Sequence, residues 1–257
     1  MADDQESAAS LLHALRERLA AEALHVALPL SAAAYDAVVA PTGAPLAGEL
    51  VDGAGGVVLI GDGGPGFFAR FRDAAPYASG VAHPLDDFTR GCVASAVDEL
   101  LAPRGLRFRV LFPFDGADTP PPFQRLGLAA GLPQPGPLGL QLHPEFGPWW
   151  AYRALVVLPV PLDAEPPMLP WCPPCERPCV RGCATHRPAG EGASLQAAGD
   201  LCSDACGARL RCPVGREHAY PPDQLAFHLR AREALRLALA EDAAAHALPL
   251  DRAAGRS

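Results

Sequence analysis

Seven of the chain's eight cysteines fall between Cys172 and Cys212, and thiols gathered this closely are suited above all to hold a metal. In a reducing compartment such clusters serve as ligands more often than as disulfides. The first run is Cys172-x2-Cys175-x3-Cys179-x3-Cys183. It compares with the spacing C-x2-C-x2-C-x3-C-P that grips [4Fe–4S] clusters, with one gap a residue longer and Ala184 where proline is expected. The second, Cys202-x3-Cys206-x5-Cys212-Pro213, ends in Cys-Pro after irregular gaps. Seven thiols fall one short of the eight that two all-cysteine [4Fe–4S] clusters need.

Three metal readings stay open. In the first, Cys172, Cys175 and Cys179 take Cys212 as the fourth ligand of one cluster. Cys183, Cys202 and Cys206 then hold a second, completed by His186, His218 or an external ligand, in the chain-crossed manner of two-cluster sites. In the second, one cluster forms and the other thiols are spare or pair with each other. In the third, zinc is bound by four cysteines, or by three and a histidine, on C-x2-C knuckles. A metal-free, disulfide-rich segment is the remaining alternative. Cys92 stands apart in an apolar helical pattern and is expected in the core.

Other residues carry weaker signals. His143 near Glu145 has the makings of a general acid–base pair, or of a cap within a turn rich in Pro and Gly. Tyr152 could give a proton to a ligand or close the edge of the core. Trp149 and Trp150 read either as packing residues or as a platform for a flat ligand. Gly61, Gly63 and Gly66 satisfy G-x-G-x-x-G, but Pro65 in the loop and the lack of a clear βαβ unit favour a plain turn over a dinucleotide loop. Arg209, Arg211 and Arg216 form either a partner-docking loop or an offset to the charge of a cluster. The sequence has no G-x-S-x-G, H-E-x-x-H or Walker motif, which leaves hydrolase and kinase chemistry without support.

Composition narrows the classes further. With 49% hydrophobic and 19% charged residues over 257 positions, the chain has the make-up of one core with a small appendage. No apolar run reaches the roughly 20 residues of a membrane span. The start lacks a basic and apolar leader, so the cytoplasm is the expected location. All 21 basic residues are Arg, the mark of a GC-rich genome. A net charge of −8 without a basic stripe argues against a nucleic-acid surface.

The elements that must position these residues follow from periodicity. Leu11, Leu12, Leu15 and Leu19 make an amphipathic helix over Ala8–Ala23. Gly56–Ile60 is a buried strand running into a glycine turn. A helix starts after His83 with Asp86 as its cap, buries Phe88, Cys92, Val93 and Val97, and ends near Leu101. Leu106–Phe112 alternates as a half-exposed strand, Phe123–Ala130 is a short helix, and Ala154–Leu158 is a second buried strand. Pro159–Pro170 links to the cysteines, and Leu225, His228, Leu229, Leu235 and Leu239 mark a last helix. The expected division is an α/β domain over 1–165, a cysteine-rich segment over 166–220 and a helix with tail over 221–257.

The stretch Leu142–Pro159 (LHPEFGPWWAYRALVVLP) resembles the corresponding part of CblC-type cobalamin-processing proteins. It is similar, more distantly, to epoxyqueuosine reductases and corrinoid reductive dehalogenases, with fainter likeness back to Ala20. The resemblance implies a nitroreductase-like α/β fold whose central mixed sheet binds cobalamin, or in some relatives flavin. It places His143 to Trp149 at the corrinoid cavity, so that Phe146, Trp149 and Trp150 would border the ligand. The Arg153 guanidinium would bind it bidentately or form a surface ion pair. The corrinoid reductases carry a ferredoxin-like insert where this chain has its cysteines, which tips the metal readings toward iron. The implied function is an iron–sulfur protein that reduces a corrinoid, supplied by a redox partner. The rivals are a ferredoxin-like carrier or cobalamin chaperone, a flavin enzyme and a structural zinc protein.

Overall fold

The computed structural model describes residues 2–74, 83–116, 119–137, 139–166, 172, 175–181 and 207–228, with side chains from residue 8 onward. Cys183, Cys202, Cys206, His186 and the last helix beyond residue 228 lie outside the described residues.

Four strands form one sheet in the order β1-β2-β4-β3: β1 Val26–Ser31, β2 Gly56–Gly63, β3 Arg109–Leu111 and β4 Trp150–Leu158. Every described pairing is antiparallel, whereas the family resemblance implies a mixed sheet. Helices α1 (Ala2–Ala20), α4 (Gly66–Asp73) and α5 (Pro84–Leu101) cover one face. Their Leu15, Leu19, Phe67, Phe71, Val93 and Val97 close on Val58, Ile60, Ala154 and Val156 of the sheet. Helices α2 (Ala32–Val39), α3 (Ala47–Leu50) and α6 (Phe123–Ala129) cover the other, where Tyr35, Val39 and Leu126 meet Val57, Leu59, Leu155 and Val157. Layers on both sides explain why β2 is buried at every position and why it reads as an unbroken apolar run.

Local chemistry sets the ends of these elements. Pro29 lacks an amide donor, yet β1 accepts it because β1 is a sheet edge. The Ser31 hydroxyl accepts the Ala34 amide at 3.1 Å and caps α2. At α5 the cap position belongs to His83, with Pro84 first in the helix and Asp86 inside the first turn. The sequence expectation of an Asp86 cap is therefore displaced by three residues, because Pro pre-sets the helical φ at the first position. β3 is only three residues long and is an edge strand, shorter than its alternating pattern suggests. No described helix is long and apolar enough to cross a membrane.

One irregularity shapes everything near the C-terminal end of β2. Ile60 pairs with Ala154 and Gly61 with Tyr152, leaving Arg153 as the extra residue of a bulge. A bulge re-aims side chains, and here it turns Arg153 to the α4–α5 face while Trp150 and Tyr152 stay on the α6 face. Arg153 meets fully buried Asp62, Nε to Oδ1 at 2.6 Å and Nη2 to Oδ2 at 3.3 Å. Burial disfavours the Arg153 charge, but Asp62 more than offsets it and raises the guanidinium pKa above its ordinary value.

Removing one partner leaves a buried charge alone, which costs about 3–5 kcal/mol. Asp62→Ala should lower the unfolding free energy in urea by that amount, and adding Arg153→Met should recover most of it. A loss under about 0.5 kcal/mol would show that the pair does not hold the sheet.

Candidate functional site

Three stretches of chain meet at one cavity. The loop before β4 contributes Leu140, Leu142 and Pro148, and the C-terminal segments contribute Cys172, Cys175, Cys179 and Cys212 with Val214. The cavity is partly open to solvent and has room for about 30 Å³, the scale of a single water. Two short helices set the sulfurs: α7 (Pro178–Arg181) carries Cys179, and α8 (Gly207–Leu210) packs on it just ahead of Cys212. The Cys212 amide donates to the Arg209 carbonyl at 3.2 Å. Arg177 takes a left-handed φ of 49° between Cys175 and Cys179, where the longer gap lets the chain turn back on itself. All four cysteines are free thiols; Cys179 and Cys212 are buried and Cys172 is exposed.

Their electrostatics share a pattern. The Cys212 thiol pKa is raised by burial and by Cys179, Cys172 and Cys175, against a lowering backbone hydrogen bond from Val214. The Cys172 pKa is raised by burial, then by Cys175 and Cys179, while Arg177 lowers it. At Cys172 and Cys212 the neighbouring thiols thus disfavour ionisation, and a bound cation is what reverses that logic. Among the described residues no three of His, Cys, Asp or Glu converge tightly enough to hold a single ion. The four thiols line one cavity.

What joins this segment to the sheet domain is a contact between two glycines. Gly147 and Gly215 have φ of +54° and +64°. A Cβ on Gly147 would stand 2.3 Å from the Val214 carbonyl oxygen, and one on Gly215 would stand 2.4 Å from the Phe146 carbonyl carbon. No side chain fits between the two backbones. The first belongs to a tight turn in which His143 and Gly147 exchange two amide hydrogen bonds of 2.9 Å. His143 Nδ1 accepts the Glu145 amide at 3.2 Å, so this histidine caps its own turn, and Glu145 is exposed. Burial and the nearby His218 push the His143 pKa down to about 4.

Phe146 is the hub of the turn, stacked on His143 and met edge-on by His218, each with ring centroids 4.8 Å apart. Trp150 lies on the far side of His143 and stands 4.6 Å from Tyr152. The Tyr152 hydroxyl donates to Gln141 Oε1 at 2.6 Å, and burial raises its pKa. Trp149 faces elsewhere: the Arg209 guanidinium sits 4.7 Å from its ring and 4.5 Å from that of Tyr220. The structure therefore brings together Cys172, Cys175, Cys179 and Cys212, and separately His143, Phe146, Trp150 and Tyr152. It divides Trp149 from Trp150, and it commits Arg153 to Asp62.

Sequence reasoning passed over Asp62, Gln141, Tyr220 and the glycine pair, whereas Arg209, expected in a docking loop or beside a cluster, lies against Trp149 and Tyr220. Of the residues passed over only Gly147 carried a signal, in the dipeptide with Pro148. Four side chains hold buried polar atoms without a described partner: Gln141 Nε2, Trp149 Nε1, Arg209 Nε and both amide atoms of Gln224.

No protein-family profile and no curated sequence matches this chain. Its fold is similar to that of a C. elegans B12-trafficking protein CblC, a human MMACHC homologue, at TM-score 0.60 and 18% identity over 90% of this chain and 96% of that one. It is similar too to an epoxyqueuosine reductase solved with a tRNA-Tyr stem loop, at TM-score 0.51 and 14% identity over 82% of this chain and 67% of that one. An epoxyqueuosine reductase from Streptococcus thermophilus gives 0.50 and 12%, over 80% and 66%. At these identities the likeness is one of fold, and the fold is the α/β architecture that CblC and the epoxyqueuosine reductases share.

Proposed function

We propose that this chain holds an iron–sulfur cluster on Cys172, Cys175, Cys179 and Cys212 and uses it to reduce a corrinoid carried by the sheet domain. The observation that carries the reading is the single cavity lined by four free cysteines from separate stretches of chain. Four cysteines are the ligand set of an all-thiolate [4Fe–4S] cluster as well as of structural zinc, and the metal content of the protein separates the two. When bound, the cluster supplies single electrons at low potential.

The chain's own residues serve that chemistry in definite ways. Leu140, Leu142 and Pro148 give the cavity an apolar wall beside the buried Cys179 and Cys212. The Val214 amide donates to the Cys212 sulfur and favours the thiolate. His143 is neutral near pH about 7 and presents a fixed imidazole, while the Tyr152 hydroxyl proton is engaged on Gln141 Oε1. For a corrinoid, whose rim carries amide carbonyls, the fitting groups are the unpartnered buried donors Gln141 Nε2 and Trp149 Nε1. Arg153, spent on Asp62, is assigned to the core.

A second reading, a cobalamin chaperone without turnover, is favoured by one observation: the chain spans nearly all of a B12-trafficking protein. Hydroxocobalamin separates the two. A spectral shift on titration is expected under both, and continued cobalt reduction with excess reductant only under the first. Gln141→Met should weaken hydroxocobalamin binding about tenfold, the worth of one buried hydrogen bond; unchanged affinity would remove Gln141 from the corrinoid site.

Anaerobically purified protein should contain iron and acid-labile sulfide and absorb broadly in the visible. Cys212→Ser should lose most of both, while Cys92→Ser, in the core cluster of the α1–α5 face, should keep them. Zinc alone, or iron retained in Cys212→Ser, would contradict the ligand set.

His143 also predicts a pH dependence. Its pKa falls from 6.5 to about 4 on folding, so between those values the unfolded chain binds the extra proton. Stability should be level above pH about 6.5 and fall as the pH drops toward about 4. The loss is at most about 3 kcal/mol, and less where solvent screens the ring. Urea unfolding across this range should show the slope, and His143→Gln should remove it.

A further inference from the structure

The cysteine-rich segment differs in charge from the rest of this acidic protein. Residues 166–220 carry six Arg against five Asp and Glu, so the remainder bears the whole net charge of −8 and one more. Among the described residues two of these arginines are spoken for. Arg181 pairs with Glu176 at 3.3 Å, and Arg209 is held between Trp149 and Tyr220. Arg177, Arg211 and Arg216 are exposed, and none of them forms an ion pair with a described carboxylate. All three are close in sequence to cavity thiols: Arg177 stands between Cys175 and Cys179, Arg211 precedes Cys212, and Arg216 follows Val214 and Gly215. Cys172 is exposed while Cys179 and Cys212 are buried, so Cys172 is the accessible sulfur of the cavity.

We propose that this cationic mouth is the docking face for an acidic one-electron carrier protein, an inference that rests on the metal-centre reading above. Arg177, Arg211 and Arg216, each within two residues of a cavity-lining residue and without a described ion-pair partner, steer an anionic surface to the exposed Cys172 edge, where the path to the metal centre is shortest. In the productive encounter the carrier loses one electron and the metal centre gains it; no bond is made or broken and no proton moves. A nucleic acid fits less well. Its charges recur about every 1.7 Å along a duplex, so a stem long enough to bind would run off a three-arginine face onto the negative remainder of the chain. A compact acidic patch of about 800 Å² matches the face without overrunning it.

The test uses the full chain purified anaerobically, with a reduced acidic [2Fe–2S] ferredoxin as probe. Stopped-flow bleaching of the visible band gives the second-order rate, and calorimetry with the oxidised ferredoxin gives the affinity. Arg211→Glu/Arg216→Glu should lower both about tenfold or more at low ionic strength, with the difference closing at high salt. Adding Arg177→Glu should lower them further. Iron and sulfide content of the double variant, and its reduction by photoreduced deazaflavin, should match the parent protein.

Intact metal content with ferredoxin rates and affinities unchanged by charge reversal would overturn the docking face alone. Protein without iron and sulfide would overturn the metal-centre reading and this inference with it. If a tRNA stem loop binds the parent protein and the double variant loses that binding while keeping its ferredoxin kinetics, the face belongs to RNA and the proposal fails.

Discussion

The backbone of residues 146–147 lies directly against that of residues 214–215, and the candidate site depends on that contact. Any side chain at Gly147 or Gly215 would collide with the opposing main chain. The approach seats Val214 beside the His143–Gly147 turn, which carries Cys212 to the wall formed by Leu140, Leu142 and Pro148. The same approach lays His218 on Phe146 and brings Arg209 and Tyr220 over Trp149. Among the described residues of this segment the helices α7 and α8 have only four residues each. Such short helices gain little stability on their own. Packing against the sheet domain is what fixes them.

The sheet supplies the fixed side of that arrangement. Layers of helices on both faces bury β2 completely, and the bulge at Arg153 ties β4 to Asp62 through a buried ion pair. The bulge separates two jobs that are adjacent in sequence. Trp150 and Tyr152 turn toward the His143 turn and α6, whereas Arg153 turns into the opposite layer against Phe67. A contiguous stretch of sequence thus serves both the cohesion of the sheet and the lining of the candidate site.

Much of this was legible in the chain. Regular apolar spacing located α1, α5, α6, β2 and β4, because each buries one face or both. β1 was hidden by Pro29, which looks like a strand breaker until the strand is known to be an edge. α2 was hidden because Ala32–Val39 is almost uniformly apolar and shows no contrast between faces. One of the three metal readings grouped Cys172, Cys175 and Cys179 with Cys212, and those four line one cavity. The Asp62–Arg153 pair was out of reach, since 91 residues separate its members and neither has a neighbour that hints at the other. The adjacency of Trp149 and Trp150 suggested a shared platform, whereas the two rings have different partners.

The central claim is that the late thiols jointly grip an iron–sulfur core. X-ray absorption at the iron edge of the anaerobically purified protein tests it most directly. The account predicts a shell of sulfur neighbours with iron–iron scattering beyond it. An edge carried by zinc with four sulfurs and no second metal, or no metal at all, would contradict it.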